Sequence, residues 1–365
     1  MKFKKAHSLT SSMFLFLGIT FTALLFFVGS LFLDKSNLSL GNKYQNQVKF
    51  EGDELNLPQL SIDKIFNNDH FLINDYPESK IRTILVTGDV LLARSVNSKT
   101  VALNDFNWPF LKVADVLREA DVTYINLESP LINNCKSTHE GMRFCGDPQN
   151  TKGLVFAGVD VANIANNHIY DQGKEGAMQT EKILNSYGIL PVGLSGSVVK
   201  DINGLKFGFL GYNDVDYLGK SIPIEDILVK EVNELKPRAD VIIVQFHWGN
   251  EYTSNITDRQ KILAHLAIDS GADLVIGNHP HWIQPIEIYK GKLIAYSHGN
   301  FIFDQEWSEQ TKLGVVGKYI FYDDQLIDVE FLPIRIVDYG QPYFLTGEDK
   351  RKVLNSLYSE TLLFQ

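Results

Sequence analysis

The feature that most limits the folds open to this chain is a series of apolar segments, each ending in a side chain that can bind a metal. Six such segments lie between residues 84 and 298, and stretches with helical spacing separate several of them. Apolar strands that alternate with helices are typical of an α/β domain whose sheets are covered on both faces. Ligands in such sheets bind at the carboxyl ends of the strands. The sequence therefore predicts an α/β fold with a site at that edge.

The residues at these ends are restricted to Asp, Glu, Asn and His. They are Asp89 after ILVTG, Glu128 after VTYINL, Asn166, Asn167 and His168 after VANIA, His247 after VIIVQF, His279 and His281 after DLVIGN, and His298 after LIAYS. One strand-end His or Asp is more often a turn or capping residue, but six such ends indicate a shared site. Mixed oxygen and nitrogen ligands suit Zn, Mn or Fe, and two ions about 4 Å apart suit phosphoester hydrolysis.

The pair His279 and His281 is separated by a single proline. Proline fixes φ and removes a backbone donor, so the segment is not expected to continue as a helix. Residues i and i+2 of an extended chain point the same way. We therefore predict an extended segment that presents both imidazoles on one side of a strand end.

The N-terminus carries a candidate membrane anchor. Three lysines, Lys2, Lys4 and Lys5, precede the uncharged run from Met13 to Leu33, which as a helix spans about 31 Å. This pattern predicts a cytoplasmic tail at 1–12, a single transmembrane helix at 13–33 and an extracellular remainder. The alternative is a signal peptide cleaved near Val28-Gly29-Ser30. Both interpretations place the globular part outside the cytoplasm.

The remaining chain divides by composition. Residues 34–80 are polar and rich in asparagine, which predicts a linker or stalk with a short helix near 60–66. A domain at 81–345 and an amphipathic C-terminal helix at 346–365 follow. The net charge of −10 argues against sequence-independent nucleic-acid binding, which depends on Lys and Arg.

The chain has two cysteines, Cys135 and Cys145. In an external compartment, two close cysteines are expected to form a disulfide that constrains a loop. The alternative is a pair of unpaired thiols.

At this point the order Asp, acidic residue, Asn-His, His and His-x-His resembles the calcineurin-like metallophosphoesterases, and more closely the CapA-type proteins of poly-γ-glutamate capsule synthesis. The matching stretches span roughly residues 84–304 and are TGDVLLARSV, NLESPL, ANNHIYDQGKEG, FHWGNEY and GNHPHWIQPIEIYKGKLIAYSHGNFIFD. The resemblance implies a four-layer α-β-β-α sandwich and one or two divalent metal ions. It also implies a role with poly-γ-glutamate at the cell membrane, together with other capsule-synthesis membrane proteins.

The resemblance also implies roles for individual residues. Asp89 and His281 would bind a first metal, Asn167, His247 and His279 a second, and Glu128 would take the bridging position. His168 would be the general acid, and Arg94 would hold an anionic group. Residues expected around the metal or the substrate are Asp171, Glu251, His298, Asn300 and Asp304.

Three departures weaken the transfer of phosphatase chemistry. Leu91 stands where the phosphoesterases carry a metal-binding histidine, Glu128 replaces an aspartate, and Ile169 replaces a commonly acidic residue. The first departure could leave the first metal weakly held or the site mononuclear. Three functions therefore remain: a metal-dependent phosphoesterase-like hydrolase, a non-catalytic polymer-binding assembly protein, and a metal-dependent amidase on polyglutamate or wall peptides.

Overall fold

The computed structural model describes residues 57–67, 70, 76–136, 138–216 and 222–365. The predicted tail and transmembrane helix lie outside these ranges. Within them, none of the helices combines the length and apolar character that a membrane span needs. The compact unit runs from Leu57 to Gln365, so it begins before the expected domain boundary at residue 81.

Within the described ranges the chain forms fourteen strands. They are β1 (Ile81–Val90), β2 (Val122–Leu127), β3 (Val159–Asn163), β4 (Leu190–Val192), β5 (Val198–Ile202), β6 (Leu205–Asn213), β7 (Val241–His247), β8 (Leu274–Asn278), β9 (Ile283–Tyr289), β10 (Lys292–His298), β11 (Asn300–Ile302), β12 (Leu313–Tyr322), β13 (Gln325–Val337) and β14 (Gln341–Phe344).

Eight α-helices are found in the same ranges: α1 (Ile62–Asn67), α2 (Arg94–Leu103), α3 (Ala114–Leu117), α4 (Thr151–Phe156), α5 (Gly173–Ser186), α6 (Glu225–Leu235), α7 (Asp258–Ser270) and α8 (Gly347–Phe364). Threonine is a typical N-cap residue, and helix α7 begins directly after Thr257. The Thr257 side chain accepts a hydrogen bond from the Gln260 backbone N–H, and the Gln260 side chain accepts one from the Thr257 backbone N–H. Together these bonds form a capping box.

The strands form two sheets. The first has the order β14-β13-β12-β1-β2-β3-β4, with β11 beside the end of β1, and the second has the order β5-β6-β7-β8-β10-β9. The strands β1 to β4 are parallel, as are β6, β7 and β8, while β12 to β14 are antiparallel. The β-rich tail of the sequence therefore extends an otherwise parallel sheet.

The side chains of β1 show why the sheets stack in layers. Ile84 and Val86 pack into the core between the two sheets, whereas Leu85 points to the opposite face, where α2 to α5 contribute. This is the period-two alternation of a strand. In the second sheet, Val244 faces outward into a third core that includes residues of α6 and α7. The result is the four-layer α-β-β-α arrangement that the resemblance implies.

Two stretches fold differently from what their sequence suggests. The run LVFAG at 154–158 is typical of a short strand, but these residues lie in α4 and the turn after it. The run FLKVADVLREA at 110–120 has helical spacing, but only Ala114–Leu117 are α-helical within it. Short apolar runs do not distinguish a strand from a buried helical turn, and Gly153 of α4 approaches the Phe106 carbonyl too closely for any larger residue.

The compact unit begins at Leu57 because residues of α1 pack into the core. Ile62 and Ile65 of α1 are buried in the core between the sheets. Phe66 contacts Phe331 of β13 and Tyr358 of α8, with ring centroids 6.1 and 5.3 Å apart. Residues 57–67 are therefore part of the compact domain, and this segment of the expected linker is not a separate stalk.

A close backbone contact fixes the end of β1 next to β11. A Cβ atom at Gly88 would lie 2.1 Å from the Gly299 carbonyl oxygen, so only glycine fits at position 88. Gly299 itself has φ +71°, which favours glycine. The contact lets β11 pair with β1, with Asn300 opposite Asp89, and it brings the carboxyl ends of both sheets to one edge.

Candidate metal centre

The residues predicted as metal ligands lie in a single cluster at this edge. Two overlapping groups each hold their ligand atoms within 4.8 Å of one another: Glu128, His279 and His281, and Asp89, Glu128 and His247. Glu128 belongs to both groups, as expected for a carboxylate in the bridging position. All five side chains are buried, so a bound cation would be held by largely desolvated ligands.

Glu128 is the least satisfied residue of the cluster. Neither carboxylate oxygen has a hydrogen-bond partner among the described residues. Nε2 atoms of His168, His247 and His281 lie 4.0, 4.0 and 3.8 Å from Oε1. Burial, reinforced by the charges of Asp89 and Glu251, raises the pKa of the Glu128 carboxyl well above its usual value. A divalent cation fits here because it would neutralise a buried carboxylate that the protein leaves unpaired.

Asp89 and His281 are oriented by asparagines. Asp89 Oδ1 accepts a hydrogen bond from Asn126 Nδ2 at 2.8 Å. His281 Nδ1 lies 3.2 Å from Asp89 Oδ2 and 2.9 Å from Asn300 Oδ1. The ring of His281 is thereby fixed with Nε2 toward Glu128. Asn300 acts on the ring orientation of a candidate ligand, which is the role expected for a residue around the metal.

His247, Asn167 and His279 form the other side of the cluster. His247 Nε2 lies 2.9 Å from Asn167 Oδ1, and the rings of His247 and His279 are 4.6 Å apart. Burial, together with the neighbouring histidines, lowers the pKa of His247 well below its usual value and that of His279 to about 3. Both imidazoles are therefore neutral near pH 7, the state in which histidine binds a metal.

The extended conformation predicted for His-Pro-His was wrong. Strand β8 ends at Asn278, and the segment bends, with φ +97° at His279 and +57° at His281. Both imidazoles still reach the cluster. Arg94 and Tyr252 nearby also have positive φ, at +46° and +60°. Such conformations cost free energy for residues other than glycine, and they concentrate at functional sites.

His168 is held at the edge of the cluster by two contacts. Its Nδ1 lies 2.8 Å from Asp171 Oδ2, and its ring stacks on Phe144 with centroids 3.8 Å apart. Asp171 Oδ2 also accepts the Phe144 backbone N–H at 2.7 Å. The imidazole therefore turns Nε2 toward Glu128 and the open side of the cluster, the position that a proton donor requires.

Arg94 lies beside the cluster with its charge already balanced. Its guanidinium pairs with Asp304 and packs over the rings of Phe144 and Phe303, at 4.8 and 5.7 Å. The other Asp304 oxygen accepts the Ser95 N–H at 3.1 Å. Arg94 is thus a rigid donor beside the centre rather than a free cation.

One side of His281 is lined by Glu251, Tyr252 and Trp307. Glu251 Oε1 lies 3.9 Å from His281 Nε2. Tyr252 stacks on His281 at 5.7 Å and meets Trp307 edge to face at 4.6 Å. Trp307 is 61% exposed, so an open aromatic surface adjoins the cluster.

Two predicted features point away from this edge. His298 is buried in the core, where its Nε2 lies 2.8 Å from the Tyr319 hydroxyl, and it does not line the cavities described below. Strand-end position alone does not say which face of a sheet a side chain takes. Leu91 is buried in the core beneath the helices. This position therefore supplies no imidazole to the cluster, unlike the histidine that the phosphoesterases carry there.

Sequence reasoning missed the asparagines beneath the cluster. Asn126 Nδ2 lies 3.3 Å from His247 Nδ1 as well as contacting Asp89, and Asn163 Nδ2 donates to Asn126 Oδ1 at 3.3 Å. The contact between Asn126 and His247 couples the two sheets. The available signal was an asparagine at or next to the last position of a buried strand, in both β2 and β3.

Two cavities open onto the cluster. The first, of about 290 Å³, is lined by residues that include Arg94, Glu128 and His281, and is called the Arg94 cavity. The second, of about 980 Å³, is lined by residues that include Asn167 and His279, and is called the Asn167 cavity. The cluster is therefore reachable from both cavities, through Glu128 and His281 on one side and Asn167 and His279 on the other.

The predicted disulfide between Cys135 and Cys145 is confirmed, with Cα atoms 5.7 Å apart. The loop that it closes carries Met142 and Phe144, which line the Arg94 cavity. A constraint on this loop therefore supports the stacking of Phe144 on His168.

Replacing both cysteines with serine is expected to lower the free energy of unfolding by about 2–3 kcal/mol, because the short loop gains freedom in the unfolded state. Urea unfolding of the double variant measures the change, and the wild type in reducing buffer should match it. A loss below about 0.5 kcal/mol would show that the disulfide adds little constraint.

The sequence was compared with known proteins. The family model described as bacterial capsule synthesis protein PGA_cap matches residues 83–305. The "Capsule biosynthesis protein CapA" of Bacillus anthracis is 29% identical over 309 residues, covering 78% of this chain and 74% of that protein. The "PGA biosynthesis protein CapA" of Bacillus subtilis (strain 168) is 33% identical over 248 residues, covering 63% of this chain and 65% of that protein, just under two thirds of its length.

Among solved structures, a phosphatase from Mycoplasma pneumoniae aligns with a TM-score of 0.46 at 16% identity, covering 72% of this chain and 95% of that one. The family model spans more than half of the chain and ends just beyond Asp304, the partner of Arg94. It therefore contains every residue of the cluster, and the chain belongs to the bacterial capsule synthesis protein PGA_cap family.

Proposed function

We propose that this protein acts in the synthesis, export or anchoring of a capsule polymer such as poly-γ-glutamate, and that its centre is a metal-dependent hydrolase of phosphoesterase type. The names of the Bacillus relatives support the first part. The geometry of the cluster supports the second.

The observation that carries the hydrolase proposal is the state of Glu128. A buried carboxylate without a hydrogen-bond partner in the described structure is costly. The neutral imidazoles of His247 and His279 lie in the same cluster, and the Arg94 cavity gives Glu128 access to solvent. This combination is expected of a site that binds a cation and admits a substrate, because a purely structural charge would be paired.

The donor set indicates which ions would bind. Asp89, Glu128, His247, His279 and His281 would supply mixed oxygen and nitrogen ligands for Mn, Zn or Fe, with Asn167 beside His247. When bound, such an ion polarises a phosphoryl oxygen and lowers the pKa of bound water. His168 is placed to give a proton to the leaving oxygen through Nε2, while Asp171 holds Nδ1.

A second candidate is a non-catalytic subunit that binds polymer during assembly. The burial of Leu91 in the helix-side core favours it, because the first metal position then lacks an imidazole that phosphoesterases use. A weakly held ion could serve binding without turnover.

Location is also a proposal. The uncharged N-terminal run supports a single-pass anchor in the cell membrane, and the disulfide fits an oxidising extracellular compartment. Other capsule-synthesis membrane proteins would then be its partners.

The test uses the full chain purified in detergent. Metal bound per chain is measured, and turnover is assayed on a generic aryl phosphate and on poly-γ-glutamate. We expect at least one ion per chain and aryl phosphate turnover, both lost in His281→Ala. His265→Ala, on the surface of α7 where the ring contacts Glu287, is the matched control and should match the wild type.

The outcomes separate the candidates. A wild type that binds no metal contradicts the hydrolase proposal. Metal binding without turnover on either substrate supports the assembly role.

A further inference from the structure

We infer that the centre acts on a linkage with substituents on both sides, and specifically on a phosphodiester rather than a terminal phosphate monoester. This inference rests on the proposed function and assigns a substrate class to the same site. It depends on the shape of the two cavities and on their charge.

The two cavities meet at the candidate proton donor. His168, Glu251 and Met142 line both of them. Glu128 and His281 face the Arg94 cavity, whereas Asn167 and His279 face the Asn167 cavity. A group that reacts at the cluster therefore has open space on either side, about 290 Å³ on one and about 980 Å³ on the other.

A site for a terminal phosphate should be closed on the side where the free phosphate oxygens lie. Those oxygens need hydrogen-bond donors close to them, and an open cavity provides none. Here the space continues past His168 in both directions. Met142, in the loop closed by the disulfide, lies where the cavities join and is 63% exposed. A ligand that fills both cavities would pass beneath this loop.

The charge of the cavities argues against a dianion. Among the described residues that line them, the arginines are Arg94 and Arg143, and the carboxylates are Glu128, Glu140, Asp171, Asp216, Glu251 and Asp304. Both arginines already have a partner. Arg94 forms an ion pair with Asp304, and Arg143 donates a hydrogen bond from Nη2 to the Asp171 carbonyl oxygen at 2.8 Å.

One or two divalent ions would roughly neutralise this surplus of acids. A phosphodiester carries a single negative charge and needs little further compensation. A monoester dianion would need additional cations, and the side chains of poly-γ-glutamate would face like charges. The charge balance therefore favours the diester.

The Arg94 cavity also offers an apolar surface to one substituent. Trp307 is exposed beside Tyr252, and Phe144 and Phe303 line the same cavity. An aromatic or sugar-like group would bury this surface, whereas a free phosphate oxygen would not.

The reaction balances without redox chemistry. A water oxygen forms a bond to phosphorus, and the bond from phosphorus to the leaving oxygen breaks. His168 Nε2 gives the leaving oxygen its proton, and a proton from the water restores His168. The products are a phosphate monoester and an alcohol.

The test compares bis(4-nitrophenyl) phosphate with 4-nitrophenyl phosphate on the metal-loaded full chain. We expect kcat/KM to be at least about tenfold higher for the diester, which corresponds to about 1.4 kcal/mol. An equal or higher value for the monoester overturns the inference and leaves the hydrolase proposal intact.

A binding measurement covers the case without turnover. Diphenyl phosphate should raise the Tm of the metal-loaded protein more than phenyl phosphate at equal concentration. That result without hydrolysis supports the two-sided cleft and contradicts the hydrolase proposal. An equal or larger shift with phenyl phosphate overturns the cleft itself.

A variant tests the passage between the cavities. Met142→Trp enlarges the side chain at their junction and should lower the ratio of diester to monoester turnover at least fivefold. Met178→Trp, at an equally exposed methionine of α5, is the control and should keep the wild-type ratio. An unchanged ratio in Met142→Trp contradicts a substrate that crosses the junction.

Discussion

Replacing Glu128 with glutamine is expected to stabilise the metal-free protein and to abolish its stabilisation by divalent metal. The wild-type carboxyl is fully buried, has no partner in the described structure, and lies near the charges of Asp89 and Glu251. Glutamine keeps the shape and removes the charge. The same substitution replaces the carboxylate shared by both candidate ligand groups with a neutral amide, which is a much weaker ligand for a divalent cation.

The two effects have opposite signs and can be measured separately. In EDTA near pH 7, the variant should gain about 1–3 kcal/mol in the free energy of unfolding. Burial raises the pKa of the Glu128 carboxyl, so folding of the wild type costs the uptake of a proton that glutamine does not need. At a metal concentration of about one hundred times Kd, the wild type should gain about 2.7 kcal/mol and the variant almost nothing. Urea unfolding with and without metal gives both values.

Asp328→Asn is the matched control. Asp328 is also buried, but its carboxylate has a partner in His70, with Nδ1 3.1 Å from each oxygen, and it lies on β13 among residues of the core. Its replacement should lower stability and leave the metal response unchanged. A loss of stability in metal-free Glu128→Gln would contradict the claim that Glu128 is unpaired without metal.

The layers of the fold could be predicted because they follow from alternation. Strands such as β7 are continuous apolar runs that only a sheet covered on both faces can bury. The N-cap at Thr257 and the hairpin turn at Asp323-Asp324 follow from local chemistry that the sequence already shows. The segment that the sequence did not predict correctly is short. Residues 154–158 are too few to show a period, and tertiary contacts set their conformation.

The site could be predicted as a set of residues but not as a geometry. Strand-end positions identified the cluster because the carboxyl ends of parallel strands share an edge. They gave no information on the φ values of His279 and His281, which depend on how the chain leaves β8. They also did not distinguish His298, which faces the core, from its neighbour Asn300, which orients His281.

The backbone strain and the unpaired carboxylate have a common interpretation. Positive φ at His279 and His281 and an unpartnered Glu128 each reduce the stability of the metal-free fold. A bound ion would offset these costs together, because it would accept bonds from the strained imidazoles and the carboxylate at once. Metal binding and folding are therefore expected to be strongly coupled in this protein.

Replacing His168 with glutamine is expected to lower kcat by about 10²–10⁴ for an ester with a poor leaving group, because the leaving oxygen loses its proton donor. The reduction should be much smaller for a 4-nitrophenyl ester, whose leaving oxygen is stable as an anion. Metal content should remain at the wild-type level, since His168 lies outside both candidate ligand groups. Phenyl and 4-nitrophenyl esters assayed in parallel measure the difference.

Asp171→Asn tests how His168 is positioned. Asp171 contacts the Nδ1 atom at 2.8 Å and the Phe144 N–H at 2.7 Å, so its loss should weaken the orientation of the ring without removing the proton donor. We expect a decrease of about tenfold that follows the same dependence on leaving group. His265→Gln serves as the control for a histidine outside the cluster. If His168→Gln slows both esters equally, or loses metal, His168 acts as a ligand or a packing residue, because the loss of a proton donor slows an ester with a poor leaving group more than one with a good leaving group.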